Sequence, residues 1–300
     1  MTIDEIPFKM NSKKNLLLIV GLVLLFSVEA FSQGRYGNSA SRIRSRHIKG
    51  FNRIEHYELL TMYGGVGFAT YYGDLCEGME CMKPRLNFGI GALYRLPYFY
   101  ERINIKTELN WFRLYAKDFH EARNLTFRSN NIELYTSAMI SLFPYEKHFR
   151  RRALIDPYIF IGIGLVYYQP QAKLEDGKWH NLRPLQTEGK AYSAIAPMIP
   201  YGVGARFNID VNWNFLVEGG YRWTFTDYMD DVSGPTYKDP STFSDPIAAE
   251  ASYRGTQPGM RTRGNPSKND GYFMFNARVS YTFSNSNVAK FRGKQHILRK

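Results

Sequence analysis

From Tyr272 to Phe283 the chain alternates residue by residue. Phe273, Phe275, Ala277, Val279, Tyr281 and Phe283 fall on one face of an extended strand, and Asn276, Arg278, Ser280 and Thr282 on the other. The segment 212–226 does the same, with Trp213, Phe215, Val217, Tyr221, Trp223 and Phe225 set against Asn214, Glu218, Gly220, Arg222 and Thr224. So does 102–112, where Ile103, Ile105, Leu109 and Trp111 oppose Asn104, Lys106, Glu108 and Asn110. A period of two is the signature of a strand with two unlike faces. Eight such stretches are expected, at 57–72, 85–97, 102–115, 129–143, 156–169, 194–208, 212–226 and 271–283.

The links between them alternate as well. Those after the second, fourth and sixth stretches are short, the last of these being only residues 209–211. Those after the first, third, fifth and seventh are longer, and the last runs from about Asp227 to Asp270. Alternating faces and alternating link lengths predict an all-β fold: an eight-stranded antiparallel transmembrane β-barrel with short periplasmic turns and longer extracellular loops. Both termini are then periplasmic, because the strand count is even.

An eight-stranded barrel has an interior just wide enough for side chains to fill. The inward phase carries Lys106, Glu108, Glu133, Arg206, Glu218, Arg222 and Arg278, which reads as a mutually neutralising plug in preference to a channel. Ser137 and Ser141 share that inward phase. Glycines recur within the strands, among them Gly65, Gly89, Gly91, Gly162, Gly164, Gly202 and Gly204, as a tight barrel requires to relieve curvature and inner crowding. A nucleotide loop at Gly89 and Gly91 is rejected, since no helix follows to hold a phosphate.

The N-terminus places the barrel. Lys9, Lys13 and Lys14 precede an apolar run at 16–26, and small residues follow around Ala30. This is the pattern of a secretory signal peptide, and the run is shorter than the roughly 20 residues an inner-membrane anchor needs. The expected organisation is a signal peptide at 1–33, a basic periplasmic arm at 34–56, an outer-membrane barrel at 57–283 and a basic periplasmic tail at 284–300. A mean hydropathy of −0.38 conceals the barrel, because half of each strand is polar.

The net charge of +12 is unevenly spread. The N-terminal arm carries Arg42, Arg44, Arg46 and other cations with no acid; the turn before 156 carries Lys147, Arg150, Arg151 and Arg152; the tail carries Lys290, Arg292, Lys294, Arg299 and Lys300. All three are expected on the periplasmic side, so a basic rim faces an anionic partner, either lipid headgroups or an acidic protein face. Arg150, Arg151, Arg152, Arg42, Arg44, Arg46, Lys290, Arg292 and Lys294 are the candidate partner-binding residues. Nucleic acid is a poor periplasmic candidate.

Cys76 and Cys81 lie close together in an exported chain, which favours a local disulfide over free thiols or a metal site. Asp227, Asp230 and Asp231 open the longest loop. They suit either a cation site or, preferably, turn-capping and pairing with Arg261 and Arg263. An enzyme would have to use these acids with His120 and His180. No nucleophile motif accompanies them, so a non-enzymatic protein without cofactor, metal or small-molecule substrate is expected.

Several segments resemble the PorG-type barrels of the type IX (Por) secretion system of Bacteroidetes. They are residues 71–75, 124–134, 157–164, 182–189, 224–233 and 263–266, and the Phe-Thr-Asp-Tyr-Met-Asp-Asp-Val-Ser run at 225–233 is the most specific. The resemblance implies an eight-stranded outer-membrane barrel associated with a periplasmic ring of PorK and PorN. That machine exports proteins and, in some members, drives gliding. The basic termini and the Cys-containing first loop lie outside the resembling segments.

Overall fold

The computed structural model describes residues 60–76, 78, 81–96, 102–118, 124–145, 152–255 and 263–283. The N-terminal arm, the C-terminal tail, Arg150 and Arg151 lie outside them. Eight long strands form the wall: β1 (Leu60–Tyr72), β2 (Arg85–Arg95), β3 (Ile103–Lys117), β4 (Thr126–Ser141), β5 (Ile155–Tyr167), β8 (Ile195–Asn208), β9 (Trp213–Thr224) and β10 (Gly271–Thr282). Two short strands, β6 (Pro170–Lys173) and β7 (Trp179–Asn181), make a hairpin in the link between β5 and β8. Every wall strand pairs antiparallel with its neighbours, and β1 closes the barrel on β10 from Thr61↔Thr282 to Tyr72↔Gly271.

The strand phase is the one the alternation predicts. On β3 the even-numbered residues from Asn104 to Ala116 are buried, and the odd-numbered ones are exposed or half-buried. A one-residue slip would exchange the two faces, so the pattern fixes register along with the strands themselves. The fourth strand starts and ends a little earlier than its alternation suggests, at Thr126–Ser141 against 129–143. Apolar Phe127 faces inward there and blurs the sequence boundary.

The outer surface is apolar: Ile163 is 73% exposed, Ile90 63% and Val203 61%. Water would penalise so large a contiguous patch, whereas lipid matches it. Aromatic contacts bound this belt. At the short-turn end Trp213 meets Tyr281, which meets Phe283. At the long-loop end Tyr72, Phe273 and Tyr221 cluster, and Trp223 meets Phe225. Trp213 and Trp223 are ten residues apart on β9, or about 33 Å of strand, and about 25 Å of height at a tilt of about 40°, which suits a bilayer core. The turn between β8 and β9 is tight, with the Ile209 and Asp210 amides both donating to the Trp213 carbonyl.

Glycines on the inner wall make room for large neighbours. A Cβ at Gly91 would strike the Tyr63 ring, and one at Gly204 the Tyr158 ring. Both phenols reach the centre of the lumen, and the glycines opposite let them lie flat against the wall.

Candidate functional site: a filled lumen beneath an interlocked cap

Three carboxylates and three cations meet in the middle of the lumen. Lys106 on β3 places Nζ 2.6 Å from both oxygens of Glu218 on β9 and 3.1 Å from Glu108. Arg278 on β10 bridges Glu108 and Glu218. Arg222 lies 3.6 Å from Glu133, with its guanidinium near the faces of Tyr135 and Phe160. Phenols complete the anions' shells. Tyr63 and Tyr135 each donate to Glu108 at 2.9 Å, and Tyr158 donates to Glu218 at 2.8 Å. Tyr272 and Asn110 donate to Glu133 at 2.5 and 2.7 Å.

All six charged residues are at least 98% buried. Apolar layers lie on either side. Toward the short turns are Leu93, Met139 and Leu216; toward the loops are Phe112, Leu114, Phe127, Val166 and Met274. A buried charge set persists only if it is neutral as a group and its charges are paired. This one is neutral, and all three of its carboxylates accept hydrogen bonds. Arg222 is held by its ion pair and by aromatic faces, with Nε and Nη2 making no hydrogen bond among the described residues. The inward residues Lys106, Glu108, Glu133, Glu218, Arg222 and Arg278 thus form a plug. Arg206 stands apart, 4.0 Å from Asp156 near the short turns.

Above the plug the long loops fold into a cap. Met229 and Val232 enter the upper apolar layer and carry the acidic run with them. Asp231 accepts from Thr187 and Tyr192, both at 2.5 Å. Arg263 reaches Glu188 at 2.9 Å, the Ser252 and Asp231 carbonyls and Thr187. Glu188 also receives the Ser233 and Gly234 amides, and Asp74 receives the Asn265 amide. The Tyr71 hydroxyl lies 2.7 Å from Asp230 Oδ2 and 2.5 Å from Asp270 Oδ1. A phenol donates only one proton, so the second contact calls for a carboxylic-acid proton on one of the two aspartates.

Burial raises these carboxyls: Asp227 to about 7 with help from Asp74 and Glu188, and Asp231 to about 6 against the pull of Arg263. Asp230 and Asp270 are pushed well up by burial and by neighbouring carboxylates, Asp270 beside Asp230 and Asp227 beside Asp270. Among the described residues no group of three His, Cys, Asp or Glu side chains is placed to hold a metal ion. Asp230 closes a turn on the Val232 amide at 3.0 Å and Asp231 lies 3.8 Å from Arg263, as the preferred reading has it for these two, whereas Asp227 makes neither kind of contact among the described residues. The pairing is with Arg263; Arg261 lies outside the described residues.

The other candidates are spread out. Cys76 and Cys81 are joined in a disulfide in the first long loop, with Cα atoms 5.5 Å apart. His180 pairs with Asp176 at 2.8 Å in the β6–β7 hairpin, not with the acidic run, and His120 lies outside the described residues. Arg152 sits at the short-turn end, donating to the Val211 carbonyl at 3.0 Å and stacking over Tyr145. The remaining candidate cations, Arg42, Arg44, Arg46, Arg150, Arg151, Lys290, Arg292 and Lys294, lie outside the described residues.

The alternation overlooks Asp270, Tyr192 and the helical pieces of the last loop. Asp-Pro at 239–240 and 245–246 signals the latter. Asp239 caps the 3-10 turn Pro240–Thr242, and Asp245 caps the helix Pro246–Ser252, each accepting an amide at 2.9 Å with proline at the first helical position.

No family model and no curated protein matches the sequence. Solved structures do match in shape. Neisserial surface protein A aligns over 75% of this chain and 97% of its own, at 12% identity and a TM-score of 0.40. Ail of Yersinia pestis aligns over 74% and 97%, at 10% identity and 0.35. A major outer membrane protein of Thermus thermophilus aligns over 75% and 99%, at 10% identity and 0.39.

Proposed function

We propose that the protein is a non-enzymatic outer-membrane subunit of the type IX secretion machinery. In this reading it anchors or stabilises the machine's periplasmic ring, built of PorK- and PorN-like proteins, at the outer membrane. The observation that carries the reading is the filled lumen. A barrel whose centre is six buried, mutually neutralised side chains works through its two rims. The resembling segments support the choice of machine. Residues 71–75, 182–189, 225–233 and 263–266, distant in sequence, interlock in the cap through Tyr71–Asp230, Thr187–Asp231, Arg263–Glu188 and Asp74–Asn265. With the long loops outside, the short-turn rim carrying Arg152 and the basic termini face the periplasm and offer the ring a cationic surface.

The test is mild-detergent purification of the tagged full-length protein, followed by mass spectrometry. Ring components are expected with the wild type and are expected to be depleted when Arg150, Arg151 and Arg152 become glutamate. Equal recovery from both proteins counts against docking by this rim. A second reading, a free-standing barrel that presents its loops to a surface ligand, is favoured by the order of the cap itself. It predicts that loop changes impair function and arm changes do not.

A further inference from the structure

A cationic cluster sits on the outside of the barrel just above the apolar belt, on one flank at the long-loop end. Arg113 on β3 is paired with Asn130 on β4, and Tyr115 with Arg128. The two arginines are therefore diagonal neighbours on the same face, with Cβ atoms about 7 Å apart. Each is steered by a neutral amide: Arg113 Nε donates to Asn130 at 2.8 Å and Arg128 Nε to Gln171 at 3.0 Å. Aromatic faces brace the cluster, with Arg128 4.0 Å over Trp179 and Arg85 4.7 Å over Tyr115. Lys117 is exposed above them, while its sequence neighbour Asp118 is buried. Among the described residues none of Arg85, Arg113, Lys117 and Arg128 has a carboxylate within ion-pair distance.

Directly below, the same flank is grooved. Gly64, Phe88, Ile90, Leu109, Trp111 and Ile132 line a shallow apolar channel of about 570 Å³ on the lipid-facing surface. Trp111 is two residues below Arg113 on β3, and its ring stacks on Phe88 at 5.9 Å. Gly64 gives the groove its depth, since a Cβ there would meet only the Gly89 carbonyl and the Ile90 methyl, both at 3.6 Å.

Cations at headgroup height above an acyl-sized groove fit one kind of molecule. We propose that the β2–β4 flank binds a phosphate-bearing lipid, lipid A of the facing leaflet, with a phosphate on Arg113 and Arg128 and an acyl chain in the groove beneath. Two guanidiniums at this spacing suit a single phosphate, which accepts charge-assisted hydrogen bonds from both. The choice of lipid A rests on the orientation put forward above, with the long loops outside. Lipid binding itself needs only the membrane-embedded belt.

Native mass spectrometry of the full-length protein released from detergent tests this. Three probes are compared: bis-phosphorylated lipid A, the same lipid A after phosphatase treatment, and inorganic phosphate. The wild type is expected to retain the phosphorylated lipid well above the other two. The double variant Arg113→Gln/Arg128→Gln is expected to lose about 30-fold in retention, the combined effect of two cations at an anionic surface. Gly64→Leu fills the groove from the lipid side, leaves the arginines intact and is expected to weaken retention as well. Folding of each variant is checked by heat-modifiable migration. Equal retention of both lipid forms, equal retention by wild type and the folded double variant, or equally strong binding of inorganic phosphate overturns the proposal. Ring co-purification is a separate readout, so failure here leaves the proposed function untouched.

Discussion

Replacing Glu108 with glutamine removes one negative charge from the plug and almost nothing else. The amide keeps the shape, and its carbonyl still accepts from Tyr63 and Tyr135, which lie 2.9 Å from the carboxylate. What is lost is the partner of Lys106, 3.1 Å away, and of Arg278. Glu218 then faces both cations alone, and the centre carries a net positive charge where every side chain is buried. Breaking a buried pair by neutralising one member costs about 3–5 kcal/mol, because the remaining charge is left uncompensated. Against a typical stability of about 5–15 kcal/mol, that is a large share. The assay is denaturant unfolding in phospholipid vesicles, followed by heat-modifiable migration and tryptophan fluorescence. Arg278→Gln should cost a similar amount, and the double variant Glu108→Gln/Arg278→Gln less than the two singles combined, since it removes charges of both signs. Glu108→Gln within about 0.5 kcal/mol of wild type, or strict additivity in the double variant, would refute the plug as an electrostatic unit.

The cap should respond to pH with a defined sign. Folded carboxyls raised above their unfolded values favour the folded cap fully below about pH 4, and that advantage is lost as pH rises through about 6 for Asp231 and about 7 for Asp227. For Asp231, fully buried, a rise of about two pH units corresponds to about 3 kcal/mol. Amide exchange corrected for intrinsic rate should therefore show residues 225–234 better protected at pH 5 than at pH 8, and the reverse order would contradict the burial of these acids. Gly91→Val should destabilise by about 1–3 kcal/mol because it meets the Tyr63 ring, whereas Gly64→Ala on the lipid face should fall within about 0.5 kcal/mol of wild type; equal effects in vesicle unfolding would remove the crowding argument. Reduction of Cys76–Cys81, which closes a loop of only a few residues, should release at most about 2 kcal/mol locally. Protease sensitivity should rise in residues 73–84 with the barrel midpoint unchanged, and a shifted midpoint would mean the loop supports the wall.

The wall is legible in the sequence because a membrane barrel imposes two solvents on alternate residues. On β9 and β10 that rule sorts the residues from Trp213 to Thr224 and from Phe273 to Thr282 to the side they occupy, apart from Leu216 and Met274, which are apolar yet face inward. It also picks out the plug: Lys106, Glu108, Glu133, Glu218, Arg222 and Arg278 are inward by phase, although only the folded chain shows which cation meets which anion. The rule fails higher up. On β3 Phe112 and Leu114 face inward yet are apolar, because that part of the lumen is sealed by loop residues such as Met229. Apolar side chains on both faces erase the alternation, which is also why the pattern sets the start of β4 too late. The cap is the least legible part. Tyr71–Asp230 and Arg263–Glu188 join residues far apart in sequence, and no local pattern encodes such pairs. Asp74, Glu188 and Arg263 fall within the segments that carry the family resemblance, whereas Asp270 stands in none of them and acquires its role only by ending at the mouth of β10.

Docking of a periplasmic ring on the short-turn rim is tested most directly by photo-crosslinking in cells. A photoreactive residue replaces Arg152 at the short turns, and a second protein carries it at Lys238 in the outer loop. Adducts with periplasmic ring proteins from position 152, and none from 238, are the expected result. Ring adducts absent from 152 while 238 captures surface components would contradict the anchoring role and leave the cap as the working surface.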